Sequence, residues 1–142
     1  MNTESILHDI DRALTDASDT EAALRAVVEI LDRDVPHYTW TGFYMVDGEE
    51  LQVGPYVGDP TPHTRIKIGE GICGAAAEAK ETIIVDDVNA DPRYLACSIS
   101  TKSEIVVPLL DGDRCLGEID IDSNKPAAFD QSDRELLEAV AE

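Results

Sequence analysis

Apolar residues near both ends of the chain recur every three or four positions. Residues 3–16 place Ile6, Ile10 and Leu14 on one side of a helix, and residues 21–32 carry a second stripe of the same spacing. This spacing predicts amphipathic helices, whose apolar stripes pack on a core. The closing segment 130–142 predicts another helix of this kind.

The middle of the chain is instead rich in β-branched and aromatic residues, separated by turn residues. This pattern predicts strands. The predicted strands are residues 38–46, 50–58, 64–68, 82–85, 103–110 and 115–122. A helix of small residues, which follows Gly69 and Gly71 and ends near Lys80, interrupts the series. We therefore predict an α+β fold with a mostly antiparallel sheet and the N- and C-terminal helices packed on one of its faces.

The pattern is lost between Asp86 and Lys102. This segment, DDVNADPRYLACSISTK, contains Cys97. Loops of such length in compact domains are usually functional or disordered. We therefore expect Cys97 to be accessible and reactive.

Charge changes the range of possible partners. The chain of 142 residues has 30 acidic and 11 basic residues, for a formal net charge of -19. Such a surface repels nucleic acid and anionic membranes, so we expect neither as a partner. The acidic excess is typical of proteins that work at high salt, and a halophilic protein is therefore our hypothesis. The length of the chain predicts one domain over residues 1–142. Its start lacks a signal-peptide pattern, so we expect a cytoplasmic protein.

The segment CLGEIDIDSN carries carboxylates at every second position, namely Glu118, Asp120 and Asp122. Side chains alternate along a strand, so these three share one face. That face is either solvated, or a calcium or magnesium site, or the wall of a functional pocket. Glu104 begins the neighbouring predicted strand and favours a pocket. Clustered carboxylates cannot all ionise cheaply, so one can donate a proton while the others bind an ammonium group.

The three cysteines form an odd and sparse set, which argues against a secreted disulfide framework. Cys115 has the strand parity of Ile119 and Ile121, so we expect it in the core, turned away from the acids. Cys73 lies near a predicted helix start, where the positive dipole end stabilises a thiolate. The alternative for Cys73 is a small packing residue.

Two further groups have alternative interpretations. His63, Cys73, Cys97 and Glu104 have the ligand types of a zinc site, but their spacing fits no standard motif, so we predict no metal. Trp40 and Tyr44 share one face of their predicted strand. They either pack in the core or form an aromatic wall for an apolar or sulfur-bearing ligand.

Together these motifs resemble a GAF domain, and more narrowly its free methionine-(R)-sulfoxide reductase branch. The motifs are WTGFY from Trp40, RIKIGEGICG from Arg65, AC at 96–97 followed by SEIVVP from Ser103, and GEIDIDS from Gly117. The resemblance implies that Cys97 is the nucleophile. It also implies a pocket whose acids bind substrate and take part in catalysis, with aromatic residues around the sulfoxide methyl group. The pocket residues would be Glu104, Asp120, Asp122, Trp40 and Tyr44.

The resemblance also implies a reaction. A thiolate attacks the sulfoxide sulfur, an acid protonates the departing oxygen, and methionine and an enzyme sulfenic acid result. A second cysteine then condenses with the sulfenic acid in the family; in this chain the role falls to Cys73 or directly to an external thiol. Thioredoxin or another external thiol reduces the disulfide, and no cofactor is bound.

The chain departs from the family pattern at two positions. His63 stands ten residues before Cys73, where family members carry a third cysteine, and Glu118 stands where we expect an apolar residue. Two alternatives to the reductase therefore stay open, namely a non-catalytic GAF ligand-binding module and a redox sensor that forms a Cys73–Cys97 disulfide. The apolar stripes of the terminal helices favour a homodimer.

Overall fold

The computed structural model describes residues 3–58, 64–88, 101–112 and 114–141. The helices are α1 (Thr3–Asp16), α2 (Thr20–Asp34), α3 (Gly71–Ala79) and α4 (Gln131–Ala141). The strands are β1 (Trp40–Asp47), β2 (Glu50–Val57), β3 (Arg65–Lys67), β4 (Ile83–Val85), β5 (Ser103–Asp111) and β6 (Arg114–Ser123). Each predicted helix and strand is present, with ends that differ by a few residues.

Acidic side chains cap two of the helices. Asp19 accepts a hydrogen bond from the backbone N–H of Ala22 at 2.7 Å, which begins α2. Asp130 accepts from the N–H of Ser132 at 2.9 Å, and Asp133 accepts from the N–H of Asp130 at 3.0 Å. These bonds satisfy N–H groups at the start of α2 and α4, where a helix leaves them without intrahelical partners.

The six strands form one antiparallel sheet in the order β3-β2-β1-β6-β5-β4. Strands β1 and β6, which carry the aromatic and acidic motifs, are the two central strands. The predicted turn at Asp47-Gly48 joins β1 to β2, and Gly48 has a φ of 66°, a conformation that glycine adopts without strain. Because β1 and β6 are hydrogen-bonded to neighbours on both sides, the site motifs stand inside the sheet and not at its edges.

Each sheet face has its own core. On one face, helices α1, α2 and α4 pack on Phe43, Ile105, Val107, Ile119 and Ile121. On the other face, helix α3 packs on Trp40, Tyr44, Leu51, Ile66 and Val106. The predicted α+β fold, with its terminal helices on one face, is confirmed.

Cys115 corrects one prediction. It is half-buried and packs with the α3-side cluster, not with Ile119 and Ile121. The pairing shifts between Leu109–Gly117 and Leu110–Cys115, so β6 uses one residue more than β5 at this point. Such a bulge reverses the alternation of side chains beyond it, and a parity argument from sequence cannot detect it.

None of the helices in the described ranges is long and apolar enough to cross a membrane.

Candidate active site

The acids of β6 lie beside the aromatic residues of β1 and the first acid of β5. Asp122 is paired across the sheet with Trp40 on one side and with Glu104 on the other. Two residues along, Asp120 lies between Gly42 and Val106. The sheet register therefore brings all five predicted pocket residues together on the face that α3 covers.

These acids are buried. Solvent exposure is 5% for Glu104, 0% for Glu118, 4% for Asp120 and 5% for Asp122. A solvated strand face, which the sequence left open, is therefore excluded. Four buried carboxyl groups on one face cost desolvation free energy unless they share protons or meet a cation.

Burial is also the main cause of their titration behaviour. It raises the pKa of Asp122 well above its usual value, and the neighbouring Asp120 raises it further. It raises the pKa of Asp120 as well, and a hydrogen bond with Glu104 offsets part of that rise. Two carboxyl groups that share a hydrogen bond need a proton between them. Raised pKa values of this kind are what the predicted role of a proton donor requires.

Glu118 is the acid to which sequence reasoning assigned no role. It is paired with Tyr44 and Pro108, and neither of its carboxyl oxygens has a hydrogen-bond partner of standard geometry among the described residues. Burial and Asp120 raise its pKa well above the usual value, and contact with the Cys73 thiol offsets part of this rise. Glu118 therefore belongs to the acid cluster as a fourth, poorly compensated carboxyl group.

Helix α3 brings Cys73 onto the acids. Gly74 lets the start of α3 lie against the end of β3, because an added Cβ would lie 2.5 Å from the carbonyl oxygen of Lys67 and 2.9 Å from the nitrogen of Gly69. The Cys73 sulfur lies 3.2 Å from Oδ2 of Asp120 and 3.8 Å from Oε2 of Glu104. This thiol thus shares one buried cluster with the carboxyl groups.

The electrostatic surroundings of Cys73 correct a second prediction. Burial and the charges of Asp120, Glu118 and Glu104 raise the pKa of its thiol well above the usual value. The helix start therefore does not produce a stabilised thiolate. Arg65, the basic residue that opens the RIKIGEGICG motif, is bound to Asp47 at 3.0 Å on the surface.

The aromatic residues form a wall beside the acids. The Trp40 ring stacks on Tyr56 with centroids 5.2 Å apart and on Tyr44 with centroids 6.3 Å apart. Gly42 makes room for this arrangement, because an added Cβ would lie 2.5 Å from the Trp40 ring and 2.7 Å from Cβ of Tyr56. Sequence reasoning missed Tyr56; its signal was the pairing of β2 with the WTGFY strand.

The predicted nucleophile, Cys97, lies outside the described residues. His63, which stands where family members carry a third cysteine, lies outside them too. The role of Cys97 therefore stays a prediction.

One group of the described side chains could hold a metal ion. The sulfur of Cys73 and a carboxylate oxygen from each of Glu104 and Asp120 all lie within 4.8 Å of one another. The same acids, with the aromatic wall, could instead receive a small cation with an apolar tail. In chemical terms the face offers a proton, an anionic binding surface and a thiol.

Fold and site together define the class of protein. The sequence model of the GAF domain family matches residues 19–142. The chain therefore belongs to the GAF domain family.

Particular relatives narrow the comparison. The chain is 39% identical to GAF domain-containing protein A of Dictyostelium discoideum, over 96% of the chain and 86% of that protein. It is 46% identical to the free methionine-R-sulfoxide reductase of Saccharomyces cerevisiae, over 72% of the chain and 58% of that enzyme. The structure is similar to the free methionine-R-sulfoxide reductase of Neisseria meningitidis in complex with its substrate. That match has a TM-score of 0.93 and 38% identity, and it covers 98% of this chain and 83% of the other.

Proposed function

We propose that this protein reduces free methionine-(R)-sulfoxide to methionine. The observation that carries the proposal is the buried face on which three acids, Glu104, Asp120 and Asp122, lie beside the Trp40 aromatic wall. The similarity to reductases from yeast and Neisseria supports it.

The acids suit recognition of a free amino acid. A free methionine sulfoxide carries an α-ammonium group, which a residue within a peptide lacks. A buried carboxylate cluster favours such a cation, because the cation offsets charge that water does not reach. We assign ammonium binding to one or two of Glu104, Asp120 and Asp122, and proton donation to a neighbour among them that keeps its proton.

The aromatic wall suits the other end of the substrate. Trp40 and Tyr44 present ring faces and edges on which a methyl group and a sulfur atom pack well. Held between the wall and the acids, the sulfoxide oxygen lies within reach of a carboxylic proton.

Cys97 is the nucleophile in this proposal. Its thiolate sulfur attacks the sulfoxide sulfur, and the oxygen ends on the enzyme as a sulfenic acid while methionine leaves. Cys73 then condenses with the sulfenic acid to give a disulfide and water, and a dithiol such as thioredoxin reduces the disulfide. The enzyme thus gains an oxygen atom and loses it as water, at the cost of two external thiols.

Two wider assignments accompany this function. Residues 1–142 form one GAF domain in our proposal. We also propose the homodimer that the apolar stripes of the terminal helices favour.

Turnover with each sulfur epimer tests the proposed function. Reduced protein is incubated with free methionine sulfoxide and dithiothreitol, and the two epimers are separated. We expect loss of the R epimer alone. Cys97→Ser should abolish this loss, and Cys115→Ser, the matched control, should leave it nearly unchanged. A wild-type protein that consumes neither epimer would instead support the non-catalytic GAF module.

A further inference from the structure

The cluster of Cys73 and the acids has a geometry that the reductase reaction alone does not require. Three donor atoms come from three different elements, Cys73 from α3, Glu104 from β5 and Asp120 from β6. All three side chains are buried. This convergence raises the question of a metal ion.

The distances match those around a tetrahedral ion. Zinc binds thiolate sulfur at about 2.3 Å and carboxylate oxygen at about 2.0–2.2 Å, so a sulfur and an oxygen ligand on one zinc lie about 3.5 Å apart. The observed separations from the Cys73 sulfur are 3.2 Å to Asp120 and 3.8 Å to Glu104. An ion therefore fits with small side-chain adjustments.

Glu118 is an independent second observation. Its side chain is fully buried, and both its oxygens lack a standard hydrogen bond among the described residues. It is close enough to interact electrostatically with both Cys73 and Asp120. Glu118 is not among the three residues whose donor atoms lie within 4.8 Å of one another, so it would become the fourth ligand through a movement of its side chain. That movement would satisfy the carboxyl group that the fold otherwise leaves uncompensated.

The ligand types select the class of metal. Calcium and magnesium prefer sites made of oxygen alone, and magnesium retains several waters. A thiolate within a dry site favours zinc and similar late transition metals. The zinc set considered from the sequence shares Cys73 and Glu104 with this one but relied on His63 and Cys97 in place of Asp120.

We propose that Cys73, Glu104 and Asp120, with Glu118 as fourth ligand, form a binding site for zinc or a similar thiophilic divalent cation. Binding forms one Zn–S and three Zn–O bonds and releases the thiol proton, together with any carboxylic protons, to solvent. No oxidation or reduction takes place. Because Asp120 and Glu104 also bind substrate in the proposed function, the ion and free methionine sulfoxide exclude each other. That competition alone rests on the proposed function.

Cobalt titration tests the site directly. Co²⁺ takes zinc sites, and a bound thiolate gives it an intense charge-transfer band in the near ultraviolet. We expect this band with the reduced wild-type protein and its displacement by Zn²⁺. The band should disappear in Cys73→Ser and remain in the matched thiol controls Cys115→Ser and Cys97→Ser.

A carboxylate variant keeps the test valid if Cys73→Ser does not fold. Asp120→Asn retains the thiol and loses one ligand. Removing a residue that only supports a metal ligand already weakens metal affinity by about tenfold or more, so the Kd of this variant for Co²⁺ should rise by at least about tenfold. Glu138→Gln, a change on the α4 surface, should leave the Kd unchanged. Wild-type binding without a thiolate band, or a band that survives in Cys73→Ser, overturns the proposal.

Inhibition of sulfoxide reduction by Zn²⁺ tests the metal site and the proposed function separately. In single turnovers of pre-reduced protein, without a chelating thiol, Zn²⁺ should slow loss of the R epimer competitively with substrate. Inhibition that substrate cannot relieve overturns the competition. A Cys73-dependent cobalt band in a protein that consumes neither epimer supports the metal site and overturns the reductase function.

Discussion

At the scale of single residues, the candidate site is a set of buried carboxyl groups on one strand face that lie against the Cys73 thiol of α3. The alternation of residues 118, 120 and 122 predicted a shared face, and the structure confirms it. The burial of that face was not predictable, because it depends on α3, whose packing brings Cys73 onto the acids. The reversal of Cys115 was likewise hidden, since a bulge has no reliable mark in a single sequence.

Glu118 should destabilise the fold at neutral pH. Burial raises the pKa of its carboxyl group above the unfolded value near 4.5, so the folded protein holds this proton more tightly than the unfolded chain. The tighter binding of this proton stabilises the folded state fully below about pH 4.5, and that stabilisation is lost as the pH rises through the folded pKa. Glu118→Gln should therefore raise the free energy of unfolding at pH 7–8 by about 1–3 kcal/mol and flatten its decline above pH 5.

Urea denaturation at several pH values measures this effect. Glu138→Gln is the matched control. There, Thr82 and Arg134 lower the carboxyl pKa, so its stabilising effect is present above the unfolded pKa and lost as the pH falls. We expect this control to be slightly destabilised at pH 7. Lower stability of Glu118→Gln than of wild type at pH 8 would show that Glu118 is compensated.

Cys73 should be needed for one reductant and not for another. Its thiol lies within the acid cluster, so in our proposal it resolves the sulfenic acid inside the protein. Cys73→Ser should lose most thioredoxin-supported turnover and keep turnover with dithiothreitol, which can attack the oxidised nucleophile directly. Coupled assays with each reductant measure the difference, and equal loss with both would point to a structural role for Cys73.

At the scale of elements, the periodicity of the sequence predicted where the helices and strands lie. It predicted only part of the pairing between strands. The Asp47-Gly48 turn predicted the β1–β2 hairpin. The contact between β1 and β6, which creates the site, joins residues 72 to 82 positions apart, and no local pattern specifies it. The segment that carries Cys97 has no periodicity, and the sequence predicted only a loop there.

Gly42 should control the aromatic wall. In Gly42→Ala the new methyl group would meet the Trp40 ring and Tyr56, so the ring must move. We expect a loss of about 1–3 kcal/mol in stability and a raised KM for methionine sulfoxide. Gly54→Ala, on the adjacent strand, is the control, because its added Cβ meets nothing closer than 3.5 Å. Thermal melts and steady-state kinetics compare the two, and similar behaviour of both variants would argue against the wall.

At the scale of the whole molecule, composition predicted properties that the fold does not test. The net charge of -19 sets strong self-repulsion, which salt screens over a Debye length of about 10 Å at 0.1 M and about 3 Å at 1 M. The melting temperature should therefore rise between about 0.1 and 1 M potassium chloride. A neutral osmolyte at equal osmolality serves as the control, and greatest stability at low ionic strength would contradict the halophilic hypothesis.

The central claim is that the buried acids of β5 and β6 recognise the α-ammonium group of a free amino acid. The ratio of kcat/KM for free methionine-(R)-sulfoxide to that for its N-acetyl derivative, which has no ammonium group, tests this most directly. Loss of one partner of a buried charge pair costs several kcal/mol, so we predict a ratio of about 100 or more. A ratio near one, with both compounds reduced, would contradict the account.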